Sequence, residues 1–161
     1  MSYNIVLLLA SIFLAAACSK NSVLSEKYVD SIIIGQAFGE CGGECFVAFK
    51  IENGLVYRSS NLMSVAQVNA ISDYEFARDP LPNIRETLID SLVSNVPKTL
   101  DKFDTESFGC PDCGDWGMLP LVVDRVGQSP KLYILDNATR NMDEALRPYG
   151  LLMQTAVQEF R

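Results

Sequence analysis

The sequence contains no histidine, and this absence excludes several chemistries. Ser-His-Asp and Cys-His catalysis both need an imidazole base, and imidazole is also the commonest ligand for transition metals. A phosphate-binding loop is missing too, because neither Gly42-Gly43 nor the glycines after Cys113 are followed by the lysine and helix that such a loop requires. No pair of acidic residues has a distinctive catalytic spacing. We therefore assign no catalytic residue, metal ion or cofactor, and the sequence favours a non-enzymatic protein.

Positive charge is scarce as well. The chain has 13 lysine and arginine residues against 20 aspartate and glutamate residues, a formal net charge of −7. Nucleic-acid affinity comes mainly from lysine and arginine on phosphates, so this balance excludes a nucleic-acid partner. It also argues against a polybasic patch drawn to anionic lipids. We interpret the acidic excess as a contribution to solubility.

The first seventeen residues carry no charged side chain and are followed by a cysteine, Cys18. The apolar run over residues 5–17 is short for a membrane-spanning helix and is typical of the apolar region of a secretory signal. Three alanines at positions 15–17 leave room for a signal peptidase, and the Cys18 thiol after them can be acylated. The order of Leu14, three alanines and Cys18 resembles the lipobox of bacterial lipoproteins.

This resemblance implies a signal peptide over residues 1–17, a lipid on Cys18, a tether over residues 18–28 and one domain over residues 29–161. Two features differ from the usual lipoprotein signal: residues 1–4 contain no lysine or arginine, and Leu14 stands one position further from the cysteine than the lipobox leucine does. A cleaved signal without lipid and an uncleaved anchor are the alternatives. By the same resemblance, Ser19 after the cysteine implies placement in the outer membrane of the bacterial cell envelope.

Cysteine parity supports the assignment of Cys18. The chain has five cysteines, an odd number for an exported protein. If Cys18 carries a lipid, four remain for two disulfides, with three possible connectivities. Local pairing would close small loops worth roughly 2 kcal/mol each, whereas crossed pairing would close loops of about 70 residues worth roughly 4 kcal/mol each. The glycines at 42 and 43 favour local pairing. The four remaining cysteines are Cys41, Cys45, Cys110 and Cys113.

The hydrophobic pattern predicts an α+β fold in which two to three helices pack on an antiparallel sheet. Asn53-Gly54 predicts a hairpin between two strands, because both residues tolerate positive φ. A capping-box pattern predicts a short helix near residues 64–71, and Asn83 is the expected N-cap of a second helix that ends before Pro97. Apolar residues at helical spacing predict a C-terminal helix over 148–160. The predicted strands cover residues 30–38, 45–51, 55–60, 118–124 and 131–136.

The loop around Cys110 and Cys113 allows several interpretations. A Cys-x-x-Cys pair could act in thiol–disulfide exchange, although the acidic residues beside it disfavour a thiolate. Together with Cys41 and Cys45 it could bind zinc. Four carboxylates near the cysteines could bind calcium if the two loops meet, although they fit no twelve-residue calcium loop. Trp116, the only tryptophan, is a possible partner contact. These four carboxylates belong to Glu40, Glu44, Asp112 and Asp115.

The segments 38–45 (FGECGGEC) and 109–115 (GCPDCGD) resemble a group of small, uncharacterised bacterial lipoproteins. This resemblance covers most of the chain after the signal, but only its two cysteine loops are specific. It implies export and an α+β fold, and it supplies no catalytic residue. The sequence therefore predicts a lipid-anchored envelope protein that binds a protein or glycan through disulfide-braced loops, with a thiol-redox or zinc protein as the alternative.

Overall fold

The computed structural model describes residues 29–39, 44–61, 68–70, 74–103, 106–111, 113 and 117–161. Within these ranges, no helix is both long enough and apolar enough to cross a membrane. The predicted signal peptide, the predicted tether and the residues Cys18, Cys41 and Trp116 lie outside the described ranges.

The described residues form an α+β fold built on one six-stranded sheet, with the strand order β3-β2-β1-β5-β6-β4. Every pair of neighbouring strands is antiparallel except β4 and β6, which are parallel. This confirms the predicted α+β class, and the sheet is antiparallel as expected except at the parallel pair of β4 and β6. The strands are β1 (Val29–Ala37), β2 (Phe46–Glu52), β3 (Leu55–Arg58), β4 (Ser107–Phe108), β5 (Met118–Arg125) and β6 (Lys131–Asp136). The helices are α1 (Glu86–Ser94), α2 (Arg147–Phe160) and two 3₁₀ turns, Lys98–Lys102 and Thr139–Asn141.

Both α-helices pack on one face of the sheet, where they form the main core. Alternate residues of the strands point toward this face, so Ile32 and Ile34 of β1 are fully buried there. The ring of Phe49 in β2 meets that of Phe160 in α2 edge to face, with the ring centroids 5.4 Å apart. The Tyr149 hydroxyl of α2 donates a hydrogen bond of 3.0 Å to the Leu92 carbonyl of α1, and burial raises the pKa of this tyrosine.

The β2–β3 hairpin has the tight turn that its sequence predicts. Asn53 and Gly54 have φ values of 51° and 74°, the left-handed conformations of a two-residue hairpin loop. Glu52 pairs with Leu55 on either side of them. The strand limits differ slightly from the expected ones, because β2 begins at Phe46 and β3 ends at Arg58.

The predicted start of the first described helix is wrong. Asn83 has a φ of 59° and lies in a turn, and α1 begins only at Glu86 after Arg85. The Leu81 N–H donates to the Val56 carbonyl at 2.7 Å, so the chain is still held along β3 at this point and must turn before a helix can form. Asparagine tolerates the left-handed conformation of that turn, and here it takes this role instead of the cap.

Other differences are smaller. The short helix expected near residues 64–71 falls mostly outside the described residues. The segment from residue 98 to 108, expected as an irregular connection, contains a 3₁₀ turn and the two-residue strand β4. The C-terminal helix is confirmed and begins one residue earlier than expected, at Arg147.

The sheet has two distinct ends, because β1 is antiparallel to both of its neighbours. We call one the Val29 end: it holds the start of β1, the hairpin turn at residues 53–54 and the β5–β6 turn at residues 126–130. We call the other the cysteine end: it holds Phe38, Cys45, residues 109–111 and Gly117. The eight residues of β5, at about 3.3 Å each, place the two ends roughly 26 Å apart.

Candidate functional site

Both cysteine-bearing loops lie at the cysteine end of the sheet. The first connects β1 to β2, and the second leads from β4 into β5. Ala37 at the end of β1 pairs with Phe46 on one side and with Met118 on the other, so the flanks of the two loops are neighbours in the sheet. The Phe38 N–H donates to the Cys45 carbonyl at 2.9 Å and closes the first loop.

The two loops touch at Gly117. A Cβ atom at this position would overlap the Ala37 carbonyl oxygen and would lie 2.7 Å from Cδ1 of Phe38. Its φ of 78° is also one that residues with side chains rarely adopt. Gly117 therefore allows the second loop to approach the first closely. This contact could not be predicted from the sequence, in which the two loops are about seventy residues apart.

The second loop is closed by a disulfide between Cys110 and Cys113, whose Cα atoms are 5.4 Å apart. The Cys113 N–H also donates to the Cys110 carbonyl at 3.0 Å, and both residues are exposed. Cys45 is disulfide-bonded as well, with its partner outside the described residues. The connectivity seen for Cys110 is the local one of the alternatives that the sequence left open.

The buried carboxylate of Asp136 fixes this disulfide loop to the sheet. Asp136 ends β6 and is completely inaccessible to solvent. Its Oδ2 accepts hydrogen bonds from the Cys110 N–H at 3.0 Å and from Asn141 Nδ2 at 2.9 Å. Its Oδ1 accepts one from the Ala138 N–H at 2.7 Å. A buried carboxylate needs such donors, and these three bind the disulfide loop and the 3₁₀ turn after β6 into one unit.

Asn137 continues this network toward the other loop. Its side-chain oxygen accepts hydrogen bonds from Gln36 of β1 and Gln154 of α2, each at 3.0 Å. Its own N–H donates to the Gly117 carbonyl at 3.3 Å. Asp136 and Asn137 therefore connect the cysteine end to a central strand and to the C-terminal helix. Polar networks whose members are satisfied in this way make a site rigid.

Neither Asp136 nor Asn137 was singled out by the sequence. An Asp-Asn pair at the end of a strand also suits an ordinary turn. Nothing local indicates that the aspartate accepts a hydrogen bond from a cysteine 26 residues earlier. The only signal available was a charged residue at the end of a strand whose other residues are mostly apolar.

In the described part of this end, the three cysteines are all disulfide-bonded. No group of three or more cysteine and acidic side chains lies close enough together there to hold a metal ion. Of the four carboxylates considered for calcium, only Glu44 is described, and it forms an ion pair with Arg58 at 2.7 Å. The described part of this end therefore holds an exposed disulfide that the buried Asp136 carboxylate fixes to the sheet.

No protein-family model, curated protein or solved structure that was compared with the chain matches it. The resemblance of the cysteine loops to small bacterial lipoproteins therefore stays a prediction from the sequence.

Proposed function

We propose that this protein is an exported, lipid-anchored component of the bacterial cell envelope, attached through Cys18 to the outer membrane. Its domain binds an envelope protein or glycan through the two cysteine loops and is not an enzyme. One observation carries the proposal: both loops lie at the cysteine end of the sheet, while the chain reaches β1 from the anchor at the opposite end, roughly 26 Å away.

The physical properties of the cysteine end support a binding role. A partner loses less affinity to ordering entropy when the surface it meets is already rigid. The disulfide of Cys110 and the three hydrogen bonds to Asp136 supply this rigidity without burying the loop, since Cys110 and Cys113 stay exposed. Trp116 belongs to the same loop in the sequence, and tryptophan is enriched among residues that dominate binding energy.

Lipid attachment is tested by labelling cells with radioactive palmitate. We expect the wild-type protein to incorporate label and Cys18→Ala to incorporate none. Cys45→Ser is the matched control, because it removes a cysteine from the folded domain and leaves Cys18 in place. Label that survives in Cys18→Ala would rule out this site.

Partner binding is tested by capture from envelope extracts. We compare the wild type with Trp116→Ala and with the double variant Cys110→Ser/Cys113→Ser. The control is Gln128→Ala, an exposed position in the β5–β6 turn at the Val29 end. We expect the captured partner to be lost with the loop variants and retained with the control. Equal capture by all four proteins would contradict binding at the cysteine end.

The second candidate is a thiol-redox or zinc protein that uses Cys110 and Cys113, with or without Cys41 and Cys45. It is favoured by the exposure of the Cys110–Cys113 disulfide, which a reducing partner could reach. Thiol titration with mass spectrometry on the native protein separates the two candidates. Four cysteines held in stable disulfides would contradict this second candidate, whereas readily reduced or zinc-bound thiols would contradict a purely structural role for the loops.

A further inference from the structure

Two apolar side chains are exposed at the hairpin tips of the Val29 end. Leu55 directly follows the β2–β3 turn and is 45% exposed, and Val126 lies in the β5–β6 turn and is 68% exposed. In the described ranges, four large hydrophobic residues are at least 40% exposed; the other two are Phe103 and Leu151. Isolated exposed apolar residues are common and need no explanation, so the position of these two is what matters.

The turns themselves do not require apolar residues at these positions. The β2–β3 turn depends on Asn53 and Gly54. The β5–β6 turn is closed by a hydrogen bond of 3.0 Å from the Gln128 N–H to the Arg125 carbonyl, and it depends on Gly127 with its φ of 75°. Polar residues are the usual choice beside such turns.

The two apolar tips lie along the same end of the sheet. Three strand-to-strand steps separate β3 from β5 in the sheet, and at about 4.8 Å each they amount to roughly 14 Å. A flat surface that meets the Val29 end can therefore contact Leu55 and Val126 together.

The predicted anchor joins the domain at this same end. Residues 19–28 connect Cys18 to β1, and ten residues span at most about 36 Å even when fully extended. A lipid on Cys18 would therefore hold the Val29 end within that distance of the bilayer. Tethering of this kind raises the effective concentration of the surface, so that contacts too weak to bind alone become populated.

The charges near this end favour a neutral lipid surface over an anionic one. Asp30, Glu52 and Asp124 stand among the strand ends with Lys50 and Lys131, and Glu52 forms an ion pair of 2.7 Å with Lys50. This mixture offers no basic patch to anionic headgroups, and the net charge of −7 opposes them.

We propose that Leu55 and Val126 insert into the interface of the bilayer that carries the lipid anchor and hold the domain upright, with the cysteine end directed away from the membrane. The inference rests on the proposed lipid anchor at Cys18. Insertion is shallow, in the boundary between headgroups and acyl chains, as for other apolar side chains that lie on a membrane surface.

Depth-dependent fluorescence quenching tests this orientation. The lipid-modified protein is purified from membranes with Trp116→Phe and one new tryptophan, at Leu55→Trp, at Val126→Trp or at Leu151→Trp. The last is the matched control, because Leu151 is 49% exposed but lies near the start of α2, toward the cysteine end. Each protein is placed in phosphatidylcholine vesicles that contain lipids with brominated acyl chains.

We expect the emission of the tryptophans at 55 and 126 to fall by roughly half, since interfacial insertion brings a side chain within about 5–10 Å of the acyl boundary. Emission at position 151 should not change. Vesicle flotation of the same samples reports anchoring separately. If the protein floats with the vesicles but the tryptophans at 55 and 126 are not quenched, the proposed orientation is wrong and the anchor stands. Equal quenching at position 151 would contradict the orientation in the same way. Protein that does not float overturns the lipid anchor, and the orientation with it.

Discussion

Replacing Asp136 by asparagine should destabilise the protein far more than the loss of one charge on a surface would. The side chain is fully buried, and its Oδ2 accepts hydrogen bonds from two donors, the Cys110 N–H and Asn141 Nδ2. An asparagine keeps only one oxygen, so in either orientation its amide NH₂ group faces at least one of the three donors: the Ala138 N–H if the oxygen stays with the other two, and both of those if it does not. The substitution therefore changes almost no volume and brings donors face to face.

The magnitude follows from the donor that loses its acceptor. The favoured amide orientation keeps the two hydrogen bonds to the Cys110 N–H and Asn141 and leaves the N–H of the buried Ala138 unpaired. Leaving a buried donor unpaired costs about 1–3 kcal/mol, and we expect Asp136→Asn to lower the free energy of unfolding by this amount.

Urea denaturation followed by circular dichroism measures this loss. With an m-value of about 1.5 kcal/mol per M, the midpoint should fall by roughly 0.7–2 M while the slope stays the same. Asp143→Asn is the matched control: it makes the same chemical change at an exposed aspartate whose oxygen accepts one hydrogen bond, from the Ala145 N–H, and the asparagine can still accept it. A midpoint for Asp136→Asn no lower than that of this control would refute the role given to the buried carboxylate.

Three further predictions concern the core, the sheet and the disulfide. Tyr149→Phe should lower the free energy of unfolding by about 1–2 kcal/mol, because the buried Leu92 carbonyl loses its donor. The raised pKa of Tyr149 also predicts a pH effect, because the unfolded chain releases the phenol proton near pH 10 while the folded protein retains it. The free energy of unfolding of the wild type should therefore fall as the pH rises above about 10. Urea titrations at several pH values should show a shallower fall in Tyr149→Phe. Gly35→Ala should lower the thermal midpoint and the free energy of unfolding, the latter by about 1–3 kcal/mol, since the alanine Cβ would lie 2.7 Å from a backbone carbonyl oxygen of β2. A thermal midpoint equal to that of the wild type would contradict this contact. Cys110→Ser/Cys113→Ser should lower the free energy of unfolding by about 2 kcal/mol in urea titrations without reductant. Reductant should cause no further loss from this loop in the variant, because the bond is already absent. A variant as stable as the oxidised wild type would contradict the bond.

The parts of the fold that the sequence predicted well are those that local rules decide. Asn53-Gly54 forms the expected hairpin turn because only the two central residues determine its backbone. The helix α2 appears near its expected limits because one apolar stripe runs through all of it, and β6 occupies the expected residues 131–136.

The parts that differ depend on contacts between distant segments. Asn83 has the sequence of a helix cap, but the hydrogen bond between Leu81 and Val56 makes it a turn residue. The strand β4 has only two residues and exists because it pairs with β6, so no periodicity could reveal it. The hydrogen bond from Cys110 to Asp136 likewise has no local signal.

The most consequential feature, the sharing of one end by both cysteine loops, depends on a single pairing that the sequence left open. Each strand of a sheet runs from one end of the sheet to the other. The first loop follows β1 directly, so it lies at the end opposite Val29 in any arrangement of the other strands. The second loop reaches that same end only because β5, which follows it, runs antiparallel to β1, with Ala37 opposite Met118. If β5 were parallel to β1, the Cys110–Cys113 loop would lie at the Val29 end, beside the predicted anchor. In the antiparallel pairing Ile34 lies opposite Leu121 in one core, and Gly117 contacts Phe38. The separation between the predicted anchor and the exposed disulfide is therefore a property of the tertiary fold, and the cysteine spacing alone could not predict it.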